Sequence, residues 1–297
     1  MKTLNVIVLL CIVSLVKPAM VIAEESGDKE NTDDISALDQ RIKIERATRY
    51  QSFVLTPHKP NYILPIAYNA KPNNIPEDVS VDGELDKNEV KFQFSMKFPV
   101  VENLFGEQGS IQIAYSNLSF WQAYNKNESS PFRETVHEPE IFFIFPYEWE
   151  ILSFNNRLIQ LGVVHQSNGR SAALSRSWNR IYADFIFQHG DYYLSIKPWY
   201  RLGGTGSGKE DNPDIENYLG HGEIRTVYAG GKHIVSLMLR NNFHSPNYGA
   251  VELNWSFPMS RRVKWFVQYF YGYGESLIDY NARVNRLGIG IAFTDWL

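Results

Sequence analysis

Along most of this chain, apolar residues take turns with polar or small ones at a period of two. Over residues 90–98, Phe92, Phe94, Met96 and Phe98 point one way while Lys91, Gln93, Ser95 and Lys97 point the other. Over 234–240, Val235, Leu237 and Leu239 oppose Ser236, Met238 and Arg240; near the end, Leu287, Ile289, Ile291 and Phe293 oppose Arg286, Gly288, Gly290 and Ala292. The pattern predicts strands at 61–68, 89–98, 110–124, 139–149, 158–165, 176–188, 191–201, 217–229, 232–242, 250–257, 263–274 and 284–294. Twelve is an even number, as a closed bacterial barrel requires, and closure satisfies every backbone amide within lipid.

Large apolar residues on one face and small or charged ones on the other suit a wall between lumen and lipid. A soluble β-sandwich alternates in the same way with its apolar face inward. Two details favour the barrel. Aromatic residues gather at strand ends (Tyr192, Tyr193, Trp199 and Tyr200; Trp265, Tyr269, Tyr271 and Tyr273), as in interfacial girdles, and the chain closes on an amphipathic strand with Phe293 and Trp296. The expected fold is all-β: a twelve-stranded antiparallel transmembrane β-barrel of the outer membrane.

Composition adds a route and removes some chemistries. Lys2, the apolar stretch 5–16 and Val21-Ile22-Ala23 read as a signal peptide over 1–23. An acidic leader over 24–55 follows, with seven acidic residues against Lys29 alone between 24 and 40, then the barrel over 56–297. The leader reads as solvated and poorly ordered. The single cysteine, Cys11, lies within the signal, which excludes disulfides and thiolate metal sites from the mature chain. A formal net charge of −4 with no basic stripe argues against nucleic acid as a partner.

One polar stretch stands out. Residues 163–180 crowd His165, Ser167, Asn168, Gly169, Arg170, Ser175, Arg176, Ser177, Asn179 and Arg180 between two apolar strands. Two-residue steps from Ile159, Leu161 and Val163 reach His165 and, if the strand continues, Ser167; steps back from Phe187, Phe185, Ala183 and Ile181 reach Asn179. All three then fall on the apolar, lipid-facing side, where a polar group without a partner is costly. Together they can form the chain a serine nucleophile needs: Ser167 to attack, His165 to take its proton, Asn179 to orient the imidazole. The bland alternative is a polar hairpin loop. His137, Glu138 and Glu140 could be taken for a metal site but read better as strand-end polar residues, and Glu223, Arg225 and Arg240 read as interior ion pairs.

The run His165-Gln166-Ser167-Asn168-Gly169-Arg170, followed by Ser175-Arg176-Ser177-Trp178-Asn179-Arg180, closely resembles the signature of the outer-membrane phospholipase A family. Glu128-Ser129-Ser130-Pro131-Phe132-Arg133-Glu134-Thr135 matches a second block. The resemblance extends from about Asn61 to the C-terminus. It implies calcium-dependent hydrolysis of phospholipid acyl esters, of A1, A2 and lysophospholipase type, by a homodimer in the outer membrane. It also implies Ca2+ held by the Arg170 carbonyl and Ser175 with Ser129 of the partner subunit, and the Gly169 amide as oxyanion donor. The chain departs from the family pattern in three places: Asn117 stands where the family's dimer face carries glutamine, residues 171–174 lack an Asp-Pro, and Leu297 ends the chain in place of Phe. The rival reading is a porin or structural barrel without enzymatic activity, which has no use for His, Ser and Asn on its lipid face.

Overall fold

The computed structural model describes residues 35–48, 50–51, 54–73, 84–104, 109–127, 129–203 and 211–297. The expected signal peptide and the leader up to 34 lie outside the described residues. Among the described residues twelve long strands follow one another: β1 (Asn61–Asn69), β2 (Asn88–Asn103), β3 (Gly109–Trp121), β4 (Phe132–Phe145), β5 (Phe154–Ser167), β6 (Ser177–His189), β7 (Tyr192–Leu202), β8 (Gly222–Gly230), β9 (His233–Asn241), β10 (Gly249–Pro258), β11 (Lys264–Gly272) and β12 (Val284–Thr294). Two-residue pairings at Thr56–Pro57 and Glu150–Ile151 flank them. Each strand pairs antiparallel with its neighbour in sequence, and β12 pairs with β1, from Arg286↔Asn69 to Thr294↔Asn61, so the sheet closes on itself. The connections alternate between short turns, such as 190–191 and 231–232, and longer loops, such as 168–176 and 273–283. That is the habit of outer-membrane barrels, whose short turns face the periplasm and whose long loops face outward.

The expected strand parity holds. Lys91 and Ser95 are 1% exposed, while Phe94 and Phe98 on the same strand are about 40% exposed. The interior is therefore polar and must pair its charges. Beneath the long loops, Arg133 meets Glu89 (2.5 Å) and Asp279, Arg286 meets Glu89 (2.7 Å) and Glu275 (2.9 Å), and Lys91 meets Glu275 (2.8 Å). Three cations thus face three carboxylates around the buried ring of Phe120. Farther down, His58 bonds Glu140 at 2.6 Å, Lys59 pairs with Glu138, and Arg225 lies 3.4–3.5 Å from Glu252 and Glu223. Arg240 instead donates to the carbonyls of Tyr273 and Gly274. A cavity of about 800 Å³ remains among these groups.

Several boundaries differ from expectation. β4 begins at Phe132, not 139, because its polar residues Arg133, Glu134, Glu138 and Glu140 have lumen partners. It ends at Phe145, and 146–149 is loop. The segment expected to be strand from 217 begins instead with helix α2 (Ile215–Leu219), whose Tyr218 stacks on Tyr248 and packs against Tyr273. Tyr193 and Trp199 are buried, so only Tyr192 and Tyr200 of that aromatic group face outward. Trp296 follows the last strand and lies under the Arg225 guanidinium at 4.3 Å. Part of the expected leader is ordered: helix α1 (Ala37–Thr48) buries Leu38 against Tyr193 and Val227. Its Ser36 side chain accepts from the Asp39 amide, and Arg41 donates to the carbonyls of Trp296, Pro57 and His58.

Candidate active site

β5 and β6 lie side by side in register, with Val163 opposite Ile181, His165 opposite Asn179, and Ser167 opposite Ser177. Leu161, Val163 and Ile181 are 41–47% exposed, so the face that carries His165, Ser167 and Asn179 is the outer, lipid-facing wall. There His165 Nδ1 meets Asn179 Oδ1 at 2.8 Å. An amide oxygen only accepts, so the ring proton sits on Nδ1 and Nε2 keeps its lone pair. Ser167 follows two residues along the same face. The structure thus brings the three residues onto one patch, with His165 and Asn179 in direct contact.

The residues between them hold the strand in place. Gln166 points into the lumen, donating to Glu138 at 2.9 Å and accepting from the Trp178 indole at 2.6 Å. Any slip of β5 by one position would exchange Gln166 with His165 and break both bonds. Gly162, inside the wall one turn of the pleat earlier, lets the Tyr182 ring pass: a Cβ there would lie 2.7 Å from it.

The loop after Ser167 folds around one buried side chain. Asn168 Oδ1 accepts from the amides of Arg170 (3.3 Å) and Arg176 (2.9 Å), and its Nδ2 donates to the Leu174 carbonyl (2.9 Å). Gly169, within this loop, has φ +64°, a left-handed conformation costly for other residues. The Arg170 guanidinium reaches back to the carbonyls of Phe132 and Arg133, and Arg176 donates to those of Ala173 and Ser175.

Ser175 donates to Asp211 Oδ2 at 2.6 Å, and Ser177 donates to the same oxygen at 3.3 Å. Asp211 was not among the expected ligands. It lies 36 residues away in a loop beside α2, and only the strand pairing of β6 with β7 returns it to this loop. The carbonyl of Arg170, the Ser175 hydroxyl and the Asp211 carboxylate are all hard oxygens, a donor set that fits calcium. No group of three or more His, Cys, Asp or Glu side chains able to hold a metal occurs among the described residues. Ser129 stands apart in the 122–131 loop, exposed and at φ +58°. Among the described residues no hydrogen bond joins it to Arg170 or Ser175.

Parity separates the acidic group on β4. Glu138 and Glu140 turn inward to Lys59 and His58, whereas His137 faces outward, opposite Ser167 across the β4–β5 pair. They form no common site.

Fold and site together define an outer-membrane β-barrel that carries a hydrogen-bonded polar patch on its outer wall. A family profile described as Phospholipase A1 matches residues 38–293. The chain is 34% identical to the Phospholipase A1 of Escherichia coli (strain K12) over 94% of each chain. It is 37% identical to that of Klebsiella pneumoniae over 82% of this chain and 83% of the relative. A crystal structure of the Salmonella typhi outer membrane phospholipase dimer with bound calcium superposes with a TM-score of 0.77 at 36% identity, covering 83% of this chain and 94% of that one. An active-site mutant of the Escherichia coli outer membrane phospholipase A matches equally well, at 35% identity over 84% and 95% of the two chains. The chain belongs to the phospholipase A1 family, the outer-membrane phospholipases.

Proposed function

We propose that this barrel hydrolyses the acyl ester bonds of membrane phospholipids, at the A1 and A2 positions and in lysophospholipids, by a serine mechanism. The observation that carries this reading is the His165–Asn179 bond at 2.8 Å on the outer wall, with Ser167 on the same face. A passive barrel gains nothing from three polar side chains in hydrocarbon, where each costs free energy unless paired.

His165 Nε2 takes the proton of the Ser167 hydroxyl as Oγ attacks the ester carbonyl carbon, and the C=O π pair moves to oxygen. The amide of Gly169 donates to that oxygen. As the tetrahedral centre collapses, the C–O bond to glycerol breaks and His165 returns its proton to the departing alkoxide oxygen. Water then repeats the sequence on the acyl-serine, releasing fatty acid and restoring Ser167. Asn179 accepts from His165 Nδ1–H throughout, holding the tautomer without placing a full negative charge beside lipid. The acyl chains of the substrate lie along Leu161, Val163 and Ile181 on the wall.

Calcium would be held by the Arg170 carbonyl and Ser175, with Asp211 beside them and Ser129 of the partner subunit completing the set in a homodimer. When bound, it supplies positive charge next to the developing oxyanion. Asp211 strengthens this reading, since neutral oxygens alone make a weak site.

The test is fatty-acid release from mixed micelles by purified protein, with calcium or with chelator. Wild type should be active only with calcium, and Ser167→Ala should be inactive. Activity that survives Ser167→Ala, or that ignores chelation at every protein concentration, sinks the mechanism.

A further inference from the structure

Ser167 has two imidazoles as neighbours, and only one has been used. His137 faces Ser167 directly across the β4–β5 pair, on the outer wall. It also borders Gly169: a Cβ placed on that glycine would lie 3.7 Å from His137 Cδ2 and 3.8 Å from Nε2. The ring edge that carries Nε2 thus lies beside Gly169, the residue whose amide is proposed above to meet the oxyanion.

The other ring nitrogen is occupied. His137 Nδ1 lies 2.7 Å from the Tyr115 hydroxyl and 3.5 Å from the Asn117 amide nitrogen. The orientation of Asn117 is set from behind, because Ser119 Oγ donates to its Oδ1 at 2.9 Å, and Thr135 lies 3.3 Å from Ser119 in turn. An amide nitrogen only donates, so the group it faces must accept. Two donors converging on Nδ1 leave its lone pair as the acceptor and put the ring proton on Nε2. The two histidines beside Ser167 therefore have opposite tautomers: His165 presents a bare Nε2, which accepts a proton, and His137 presents an Nε2–H, which donates a hydrogen bond.

We propose that His137 is a catalytic residue whose neutral Nε2–H is a second donor to the ester oxygen, beside the Gly169 amide, as that oxygen becomes anionic. A neutral imidazole can fill this role, since it polarises a carbonyl without giving up its proton. No covalent change at His137 is required: the Oγ–C bond forms, the π pair moves to oxygen, and the Nε2–H shortens its contact to that oxygen. The outward polar run Ser119, Asn117, Tyr115 is then the support that fixes the tautomer. This proposal rests on the serine mechanism above.

The test compares wild type, Ser167→Ala, His137→Phe and His137→Gln in detergent with calcium. Substrates are a phospholipid and a neutral fatty-acyl ester without phosphate, and cross-linking reports the dimer. Losing an oxyanion donor lowers kcat on the order of 10²-fold. His137→Phe should show that loss on both substrates with KM nearly unchanged. His137→Gln, whose side-chain amide keeps a donor at similar reach, should recover most of it. Unchanged kcat in His137→Phe, with Ser167→Ala inactive, overturns this proposal alone. So does a loss confined to the phosphate-bearing substrate or to KM, or a glutamine variant no better than phenylalanine. If Ser167→Ala stays active, the serine mechanism and this proposal fall together. Should His137→Phe not fold, as read from heat-dependent gel mobility, Tyr115→Phe and His137→Gln decide. Tyr115→Phe must then lower kcat, and no loss there overturns the proposal.

Discussion

Under the proposed serine mechanism, replacing Asn179 by alanine isolates what a neutral orienting group contributes. The contact removed is a single hydrogen bond of 2.8 Å to His165 Nδ1. In the free enzyme that bond joins two neutral groups and is worth about 1 kcal/mol; when the imidazole carries the serine proton it becomes charge-assisted and is worth about 1.5–3 kcal/mol. Only the difference, roughly 0.5–2 kcal/mol, is felt as a loss of transition-state stabilisation, so kcat should fall about 2- to 30-fold. An aspartate in this role contributes far more, about 10⁴-fold in serine proteases. Asn179 is exposed on the wall and fills no core space, so the substitution should cost stability only that one neutral bond, about 1 kcal/mol. The assay is initial-rate hydrolysis in mixed micelles at saturating calcium, with thermal unfolding run alongside. A loss beyond 10³-fold, no loss at all, or a fall in stability well beyond about 1 kcal/mol would refute the argument that Asn179 acts only by holding one tautomer.

Asp211→Asn should raise the calcium concentration needed for half-maximal activity while leaving kcat at saturating calcium close to wild type, as a calcium titration would read. Glu275→Gln leaves Lys91 and Arg286 facing each other with less compensation, and removing one partner of a buried pair costs about 3–5 kcal/mol, visible in thermal unfolding. Burial pushes the Glu275 carboxyl up, but Arg286 and Lys91 outweigh that and hold it below the ordinary value of 4.5. Its contribution is therefore complete above about 4.5 and is lost as pH falls through the lower folded value. Acid scans of wild type should show this limb, and Glu275→Gln should flatten it. Leu38, Arg41 and Glu45 of α1 line the lumen cavity, so Arg41→Ala, which removes three bonds that hold α1 against the chain around Trp296 and Pro57, should raise single-channel conductance in planar bilayers.

Much of this was legible in the sequence because a barrel wall imposes a period of two on every strand. Parity alone put Phe94 out and Lys91 in, and the same steps carried His165 and Asn179 to one face. It failed where polar residues look alike whether they end a strand or line a lumen. Arg133, Glu134 and Glu138 resemble loop residues until their partners on other strands are known. Tyr193 and Trp199 look like girdle residues, but aromatic character does not state a face. α1 was hidden by the acidic composition around it, since its docking depends on Leu38 and Arg41 finding partners far along the chain. Asp211 escaped for the same reason, and His137 was grouped with Glu138 and Glu140 instead: their proximity to Ser175 and Ser167 exists only after pairing.

The register His165↔Asn179 has a mechanical side. Residues facing each other on paired antiparallel strands keep their Cα atoms at about 4.5–5.5 Å, whatever their side chains. In hydrocarbon the ladder beneath them cannot trade its bonds for water, so the strands part only when the wall itself opens. The spacing of the two groups is inherited from the sheet as from a ruler, and adjustment is left to side-chain rotation alone. Destabilising substitutions elsewhere in the barrel should accordingly lower how much protein is assembled while leaving the turnover of each assembled molecule the same.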